Sequence, residues 1–225
     1  MEYIEYNELS DYIISYCNIN NIEISNKKLQ KLMYYCQAWH LALFGDKLID
    51  SNFEAWVHGA VLRPLYYNYC NLGYNTIHVD SSKAFNIVQN FNSNISTNVH
   101  DLLEKVFSKY INYDADELEH INHLEYPWIK TRQGLKPDES SDKIITKELI
   151  EEYYSIRALE EGMKKVKDNI FKFSHMGLKK AQDKLNNKSI FKPSTENFEK
   201  YKTFILDSVE CNSELVKRAE YVRNL

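Results

Sequence analysis

The sequence predicts a mainly α fold: a compact helical domain with one short strand or extended segment, followed by a C-terminal helical hairpin. Three observations carry that reading. Apolar residues recur at steps of three and four along much of the chain. Capping residues stand at both ends of its clearest periodic segment. Only 6 Gly and 4 Pro occur in 225 residues, too few for a loop-rich sandwich or a glycine-rich nucleotide-binding fold.

The N-terminal stretch MEYIEYNELSDYIIS is acidic where a secretory leader is basic. No apolar run approaches the roughly 20 residues of a membrane span, so the expectation is a cytoplasmic protein with no membrane partner. Ser25 and Gly45 then bracket a helix over 26–44 as N-cap and C-cap. At 100° per residue, Leu29, Leu32, Met33, Cys36, His40, Leu43 and Phe44 share its core face. Tyr34, Tyr35, Trp39 and Leu41 fall on the flanks and back, which predicts a helix contacted on more than one side.

KLIDSNFEAWV alternates at Phe53, Ala55 and Val57 and reads as a short strand or extended segment. His58-Gly59 reads as a turn. A helix over 61–72 is expected next, with Val61, Leu62, Leu65, Tyr66 and Tyr69 inward, Pro64 in its first turn and Gly73 as its stop. Ser96 or Thr97 caps a helix reaching Tyr110 that buries Val99, Leu102, Leu103 and Val106. Asp114-Ala115-Asp116-Glu117 has the form of a capping box for a short helix ending before Tyr126-Pro127. After the loop TRQGLKPDESSD the chain turns helical from Thr146, with Leu149, Tyr153 and Ile156 inward.

From there Ile156, Leu159, Met163, Val166, Ile170 and Phe173 keep a heptad stripe. A second stripe, Phe198, Tyr201, Ile205, Val209, Asn212, Val216 and Ala219, follows Pro193 and predicts an antiparallel helical hairpin. Charge divides at the same place. Residues 1–155 hold 13 basic and 22 acidic residues, a net −9, and residues 156–225 hold 15 and 10, a net +5. The expected organisation is a domain over 1–155 and an amphipathic helical extension over 156–225.

The four cysteines Cys17, Cys36, Cys70 and Cys211 form no C-x-x-C pair, which excludes the usual zinc and thioredoxin signatures. Cys36 and His40, at i and i+4, would suit a thiolate–imidazole pair if exposed, but both fall on the apolar stripe and read as core. His120 and His123, at i and i+3 beside Glu117, Glu119 and Glu125, are the best metal candidate, without an H-E-x-x-H pattern or a third ligand identified by spacing. Ser-elbow, Walker and Rossmann patterns do not occur. No enzyme and no cofactor are therefore expected. Lys164, Lys165, Lys167, Lys179 and Lys180 make a nucleic-acid-binding regulator the secondary reading, and a metal-dependent enzyme at His120 and His123 the third. The 17 tyrosines exceed what a core needs, and protein interfaces favour such residues. Tyr34, Tyr35, Trp56, His58, Tyr66, Tyr67 and Trp128 are the candidate partner-binding residues.

Four separated blocks add a family resemblance: LQKLMYYCQAWHLALFGDKLID, FEAWVHGAVLRPLYYNY, HLEYPWIKTRQG and IITKELIEEYY. Together they resemble the Panacea domain, the SocA-like antitoxin family of toxin–antitoxin pairs and prophages, over about residues 22–155. Leu29, Gln30, Lys31, Leu32, Tyr34, Trp39 and His40 match its first motif. Ala55, Trp56 and Gly59 match the second, and His123, Glu125, Pro127 and Trp128 the third. Where the family typically has Gly-Pro, this chain has Gly59-Ala60. The resemblance implies a helical antitoxin that binds a cognate protein toxin and performs no catalysis. The basic extension over 156–225 lies outside it and is expected to add partner specificity or self-association.

Overall fold

Helix α2, Asn26–Phe44, is the element around which the others assemble. The computed structural model describes residues 3–158. Along the chain these residues form α1 (Tyr6–Ile19), α2, the strands β1 (Phe53–Trp56) and β2 (Gly59–Val61), α3 (Arg63–Tyr69) continued by a 3-10 turn at Cys70–Leu72, α4 (Ser81–Asn94), α5 (Thr97–Tyr110), α6 (Ala115–His123), α7 (Tyr126–Thr131), β3 (Ile144–Ile145) and α8 (Lys147–Arg157). The fold is mainly helical with one small antiparallel sheet, ordered β2-β1-β3. Ala55 faces Ala60 in one pairing, and Phe53 faces Ile145 in the other.

The caps of α2 are those the sequence predicts. Ser25 Oγ accepts a bond from the Lys28 amide, and Gly45 closes the helix in the left-handed conformation at φ 77°. Of its residues only Lys27, Trp39 and Phe44 escape full burial, because α1, α3, α5, α6, α8 and β2 all pack against it. A helix buried all round must satisfy its polar side chains internally. Gln37 does so by accepting from the Leu48 and Ile49 amides at 2.8 and 3.0 Å and donating to the Ile49 carbonyl at 3.2 Å. Gln30 accepts from the Leu62 amide at 2.8 Å and donates to Asn26 Oδ1 at 3.1 Å. His40 Nδ1 lies 2.8 Å from the Asp46 carbonyl, and burial lowers its pKa. Gln30, Gln37 and His40 thus each fasten a loop or strand to the helix.

The helix over 61–72 starts later than predicted. Val61 belongs to β2, since the main chain from Gly59 to Val61 pairs with β1, and α3 begins at Arg63 with Pro64 in its first turn. Ser96 caps α5, and the Asp114–Glu117 capping box opens α6, both as predicted. Pro127 falls within the first turn of α7, where its missing amide proton costs nothing. In α8 the buried face is Ile150, Tyr154 and Ile156, with Leu149 and Tyr153 only half-buried, a rotation of the expected stripe. Helices α1 and α4, which the sequence analysis did not place, pack on each other. The stripes predicted from Leu159 onward and the hairpin lie outside the described residues.

The core is unusually aromatic. Tyr35 and Tyr110 stack with centroids 4.0 Å apart, Trp39 Nε1 donates to Tyr110 Oη at 3.1 Å, and Tyr34 meets Phe53 and Tyr154 edge-on. Removing the amide of Gln37 tests the role of polar residues within it. Gln37→Leu leaves two buried backbone donors unpaired and is expected to cost about 2–4 kcal/mol, read as a lower urea midpoint at unchanged slope. An unchanged midpoint would show that the Leu48–Ile49 loop is held by other contacts.

Candidate partner-binding site

The β1–β2 hairpin turns through Val57 and His58 onto Gly59, whose φ of 91° is open to glycine. A second reason for glycine lies beneath it. A Cβ at this position would sit 2.6 Å from Asn122 Oδ1 and 2.7 Å from Lys31 Nζ. The two side chains are pressed against the turn from below. Lys31, 1% exposed, donates from its amine to the carbonyls of His58 and Ala60, the latter at 3.0 Å. Burial lowers its pKa to about 7, with Glu119 pulling the other way.

Asn122 accepts the Ala60 amide at 2.6 Å. This bond uses the residue at which the chain departs from its resemblance, because a proline at 60 has no proton to give. Asn122 also donates to Glu125 at 3.2 Å. Glu125 in turn accepts from Tyr154 Oη at 2.7 and 2.8 Å and from Arg157 at 3.1 Å. Burial raises the Glu125 pKa to about 7 against the opposing pull of Arg157. A continuous buried polar chain therefore runs from the hairpin through the α6–α7 junction to α8.

Two more bonds fix the hairpin from the side. Trp128 Nε1 donates to the Trp56 carbonyl at 2.9 Å, and Arg132, 1% exposed, donates to the Ala55 carbonyl at 2.8 Å. The same guanidinium gathers the carbonyls of Lys136, Pro137 and Glu139, tying the following loop to β1. His123 stacks on Trp128 with centroids 4.1 Å apart. Burial lowers its pKa to about 3, so it is neutral at physiological pH.

Outside this pinned frame stands a ridge of aromatic rings. Trp56 meets Tyr66 edge-on at 4.9 Å, and Tyr66 meets Tyr67 at 5.6 Å. Trp56 Nε1 donates to Glu54 Oε2 at 2.7 Å, the oxygen on which Arg63 also converges at 2.8 Å. Tyr67 is 62% exposed. At the turn, the His58 side chain is 73% exposed and lies 3.1 Å from Glu119. Glu119 pairs with Lys27, which reaches Asp116 at 2.7 Å. Burial acts to raise the Glu119 pKa, but the bonds from His58 and Lys27 outweigh it and hold the carboxyl well below its usual range.

The candidates from the sequence divide on this geometry. His58 and Tyr67 are exposed, and Trp56 and Tyr66 are half-buried along the ridge. Tyr34 and Tyr35 are at 0% exposure and Trp128 at 2%, so their expected place on a free surface is corrected. The flanks of α2 that carry the two tyrosines are covered by α5, α6 and α8, and Trp128 spends its indole N–H on the hairpin. Cys36 and His40 lie in the core as expected, and burial pushes the Cys36 thiol well up. His120 Nδ1 lies 2.7 Å from the Asp116 carbonyl, apart from the His123 stack. Among the described residues no three His, Cys, Asp or Glu side chains come together as a metal-ligand set. The sequence analysis missed the supporting roles of Lys31, Asn122 and Tyr154.

Residues 29–129 match the family model described as antitoxin SocA-like, Panacea domain. Over this segment the chain is similar to the Panacea domain. No curated protein and no solved structure gives a significant match to the chain. The matched segment holds α2 from Leu29 onward, the hairpin, Asn122, Glu125 and Trp128. Tyr154 and Arg157, the partners that complete the Panacea segment's buried carboxyl, lie beyond it.

The raised pKa of Glu125 has a measurable sign. Its folded value of about 7 exceeds the ordinary 4.5, so between those values the folded protein holds a proton that the unfolded chain has lost. The stability this carboxyl contributes is full below pH 4.5 and falls as pH rises through 7. Relative to Glu125→Gln, the native protein should lose on the order of 3 kcal/mol between pH 4.5 and 8, measured by urea denaturation across that range. Parallel profiles would place an ionised carboxylate at Glu125 throughout.

Proposed function

We propose that this protein is an antitoxin that neutralises a co-encoded protein toxin by direct binding, and that the toxin docks on Trp56, His58, Tyr66 and Tyr67. The observation that carries the reading is the aromatic ridge itself, formed by Trp56 on a hairpin that buried bonds hold and by Tyr66 and the exposed Tyr67 on the adjoining α3, within a segment that matches the SocA-like Panacea model. Aromatic side chains already braced by their neighbours lose little rotamer freedom on binding, so most of the area they bury contributes to affinity. Arg63 and Glu54, joined at the edge of the ridge, supply the polar rim that such interfaces carry.

In this reading the domain acts by occupying the toxin and performs no catalysis. It works as a soluble cytoplasmic protein; no helix among the described residues is long and apolar enough to cross a membrane. Self-association or added specificity is assigned to the basic residues 156–225, whose net charge of +5 opposes the −9 of the rest.

Co-expression tests the proposal. Toxicity of the neighbouring gene product should be suppressed by the native chain and restored by Trp56→Ala combined with Tyr67→Asp, with the variant's far-UV circular dichroism and melting unchanged. Full protection by that folded double variant would remove the ridge from the mechanism. The absence of any toxic neighbouring product would remove the antitoxin assignment.

A further inference from the structure

We propose that Lys31 and Asn122 react with each other to form an intramolecular isopeptide bond beneath the hairpin turn. The two side chains come from different helices, α2 and α6, and converge under Gly59, where the missing Cβ leaves them one shared space. The point that a Cβ would fill lies 2.6 Å from Asn122 Oδ1 and 2.7 Å from Lys31 Nζ. Lys31 is 1% exposed, Asn122 0% and Glu125 1%, so the groups meet with water excluded. Holding an amine against an amide in this way replaces a bimolecular encounter by an intramolecular one and removes much of its entropic barrier.

Each role in the reaction has a named group. The nucleophile must be a neutral amine, and burial lowers the Lys31 pKa to about 7. Its bonds to the carbonyls of His58 and Ala60 use two protons, the number a neutral amine carries, and leave the lone pair for attack. The amide oxygen must bear developing negative charge, and the Ala60 N–H donates to Asn122 Oδ1 at 2.6 Å. A proline at this position, as in the family pattern, would remove that donor. The leaving nitrogen must gain a proton, and Asn122 Nδ2 lies 3.2 Å from Glu125 Oε2. Burial keeps that carboxyl protonated up to a pH of about 7.

The step balances within the chain. Lys31 Nζ forms a bond to Asn122 Cγ, and the Cγ–Nδ2 bond breaks with its electron pair going to nitrogen. Glu125 gives its proton to Nδ2 and takes one from Nζ, so ammonia leaves and the carboxyl is restored. Nothing is oxidised or reduced, and no co-reactant is consumed. The product is one covalent tie between α2 and α6, made once per chain and without turnover. Its nitrogen keeps a proton for a turn carbonyl, and its oxygen keeps the bond from Ala60.

Mass spectrometry of the full-length chain, freshly purified and after prolonged incubation near neutral pH, tests the proposal. The native protein should come to weigh about 17 Da less than its sequence, the mass of one ammonia. Trypsin should then spare Lys31 and release a branched peptide that joins residues 29–47 to residues 110–130. Lys31→Arg and Asn122→Ala should keep their full masses, and Glu125→Gln should form the bond at least tenfold more slowly. The native chain decides the matter even where a variant fails to fold. A native protein that stays at its full sequence mass would overturn the proposal. Loss of ammonia without the branched peptide, the mark of a succinimide elsewhere, would overturn it equally, and linkage at the native rate in Glu125→Gln would remove the proton relay.

Discussion

A lysine buried under a tight turn organises this domain. The amine of Lys31 lies against the carbonyls of His58 and Ala60 at essentially zero exposure, and the turn above it has no side chain at Gly59 to hold it off. The contact is demanding in both directions. Burial disfavours the charge on Lys31, which is why its pKa falls to about 7, and removal of the amine would leave two carbonyls without their donor. Asn122 meets the same turn through the Ala60 amide and hands the network on to Glu125, Tyr154 and Arg157. The hairpin is consequently anchored to α2, α6 and α8 at once.

That anchoring separates two tasks that the sequence presents together. The aromatic residues near α2 and the hairpin read as one surplus, and the structure divides them by depth. Tyr34, Tyr35, Tyr110 and Tyr154 build the interior around α2, while Trp56, Tyr66 and Tyr67 line the outside of the hairpin and α3. Trp128 stands between the two sets. It is buried, but its indole N–H fixes the Trp56 carbonyl from which the outer ridge begins. The rigidity of the ridge is a property of the core behind it.

Much of this was legible in the residues. Ser25 and Gly45 bounded α2, and the Asp114–Glu117 box marked α6, because caps are local chemistry that needs no knowledge of the fold. Helices α1 and α4 were not legible for the same physical reason reversed. Only Ala84 and Phe91 are fully buried in α4, too few to mark a stripe, and α1 buries Ser10, Tyr12 and Ser15 among its aliphatic residues. The rotation of α8 and the burial of Tyr34 and Tyr35 depend on which helices cover which flank, information that is tertiary by nature. The buried network was the least visible part. Lys31 and Asn122 look like solvated helix residues until the hairpin is folded over them.

Lys31 holds the hairpin in place. Native-state hydrogen exchange at the Ala60 amide measures it most directly, since that proton is bonded to Asn122 only while the turn sits on the core. In Lys31→Met, with the helices still formed, Ala60 should exchange at least tenfold faster while amides in the middle of α2 keep their protection. Equal protection of Ala60 in the native and variant proteins would contradict it.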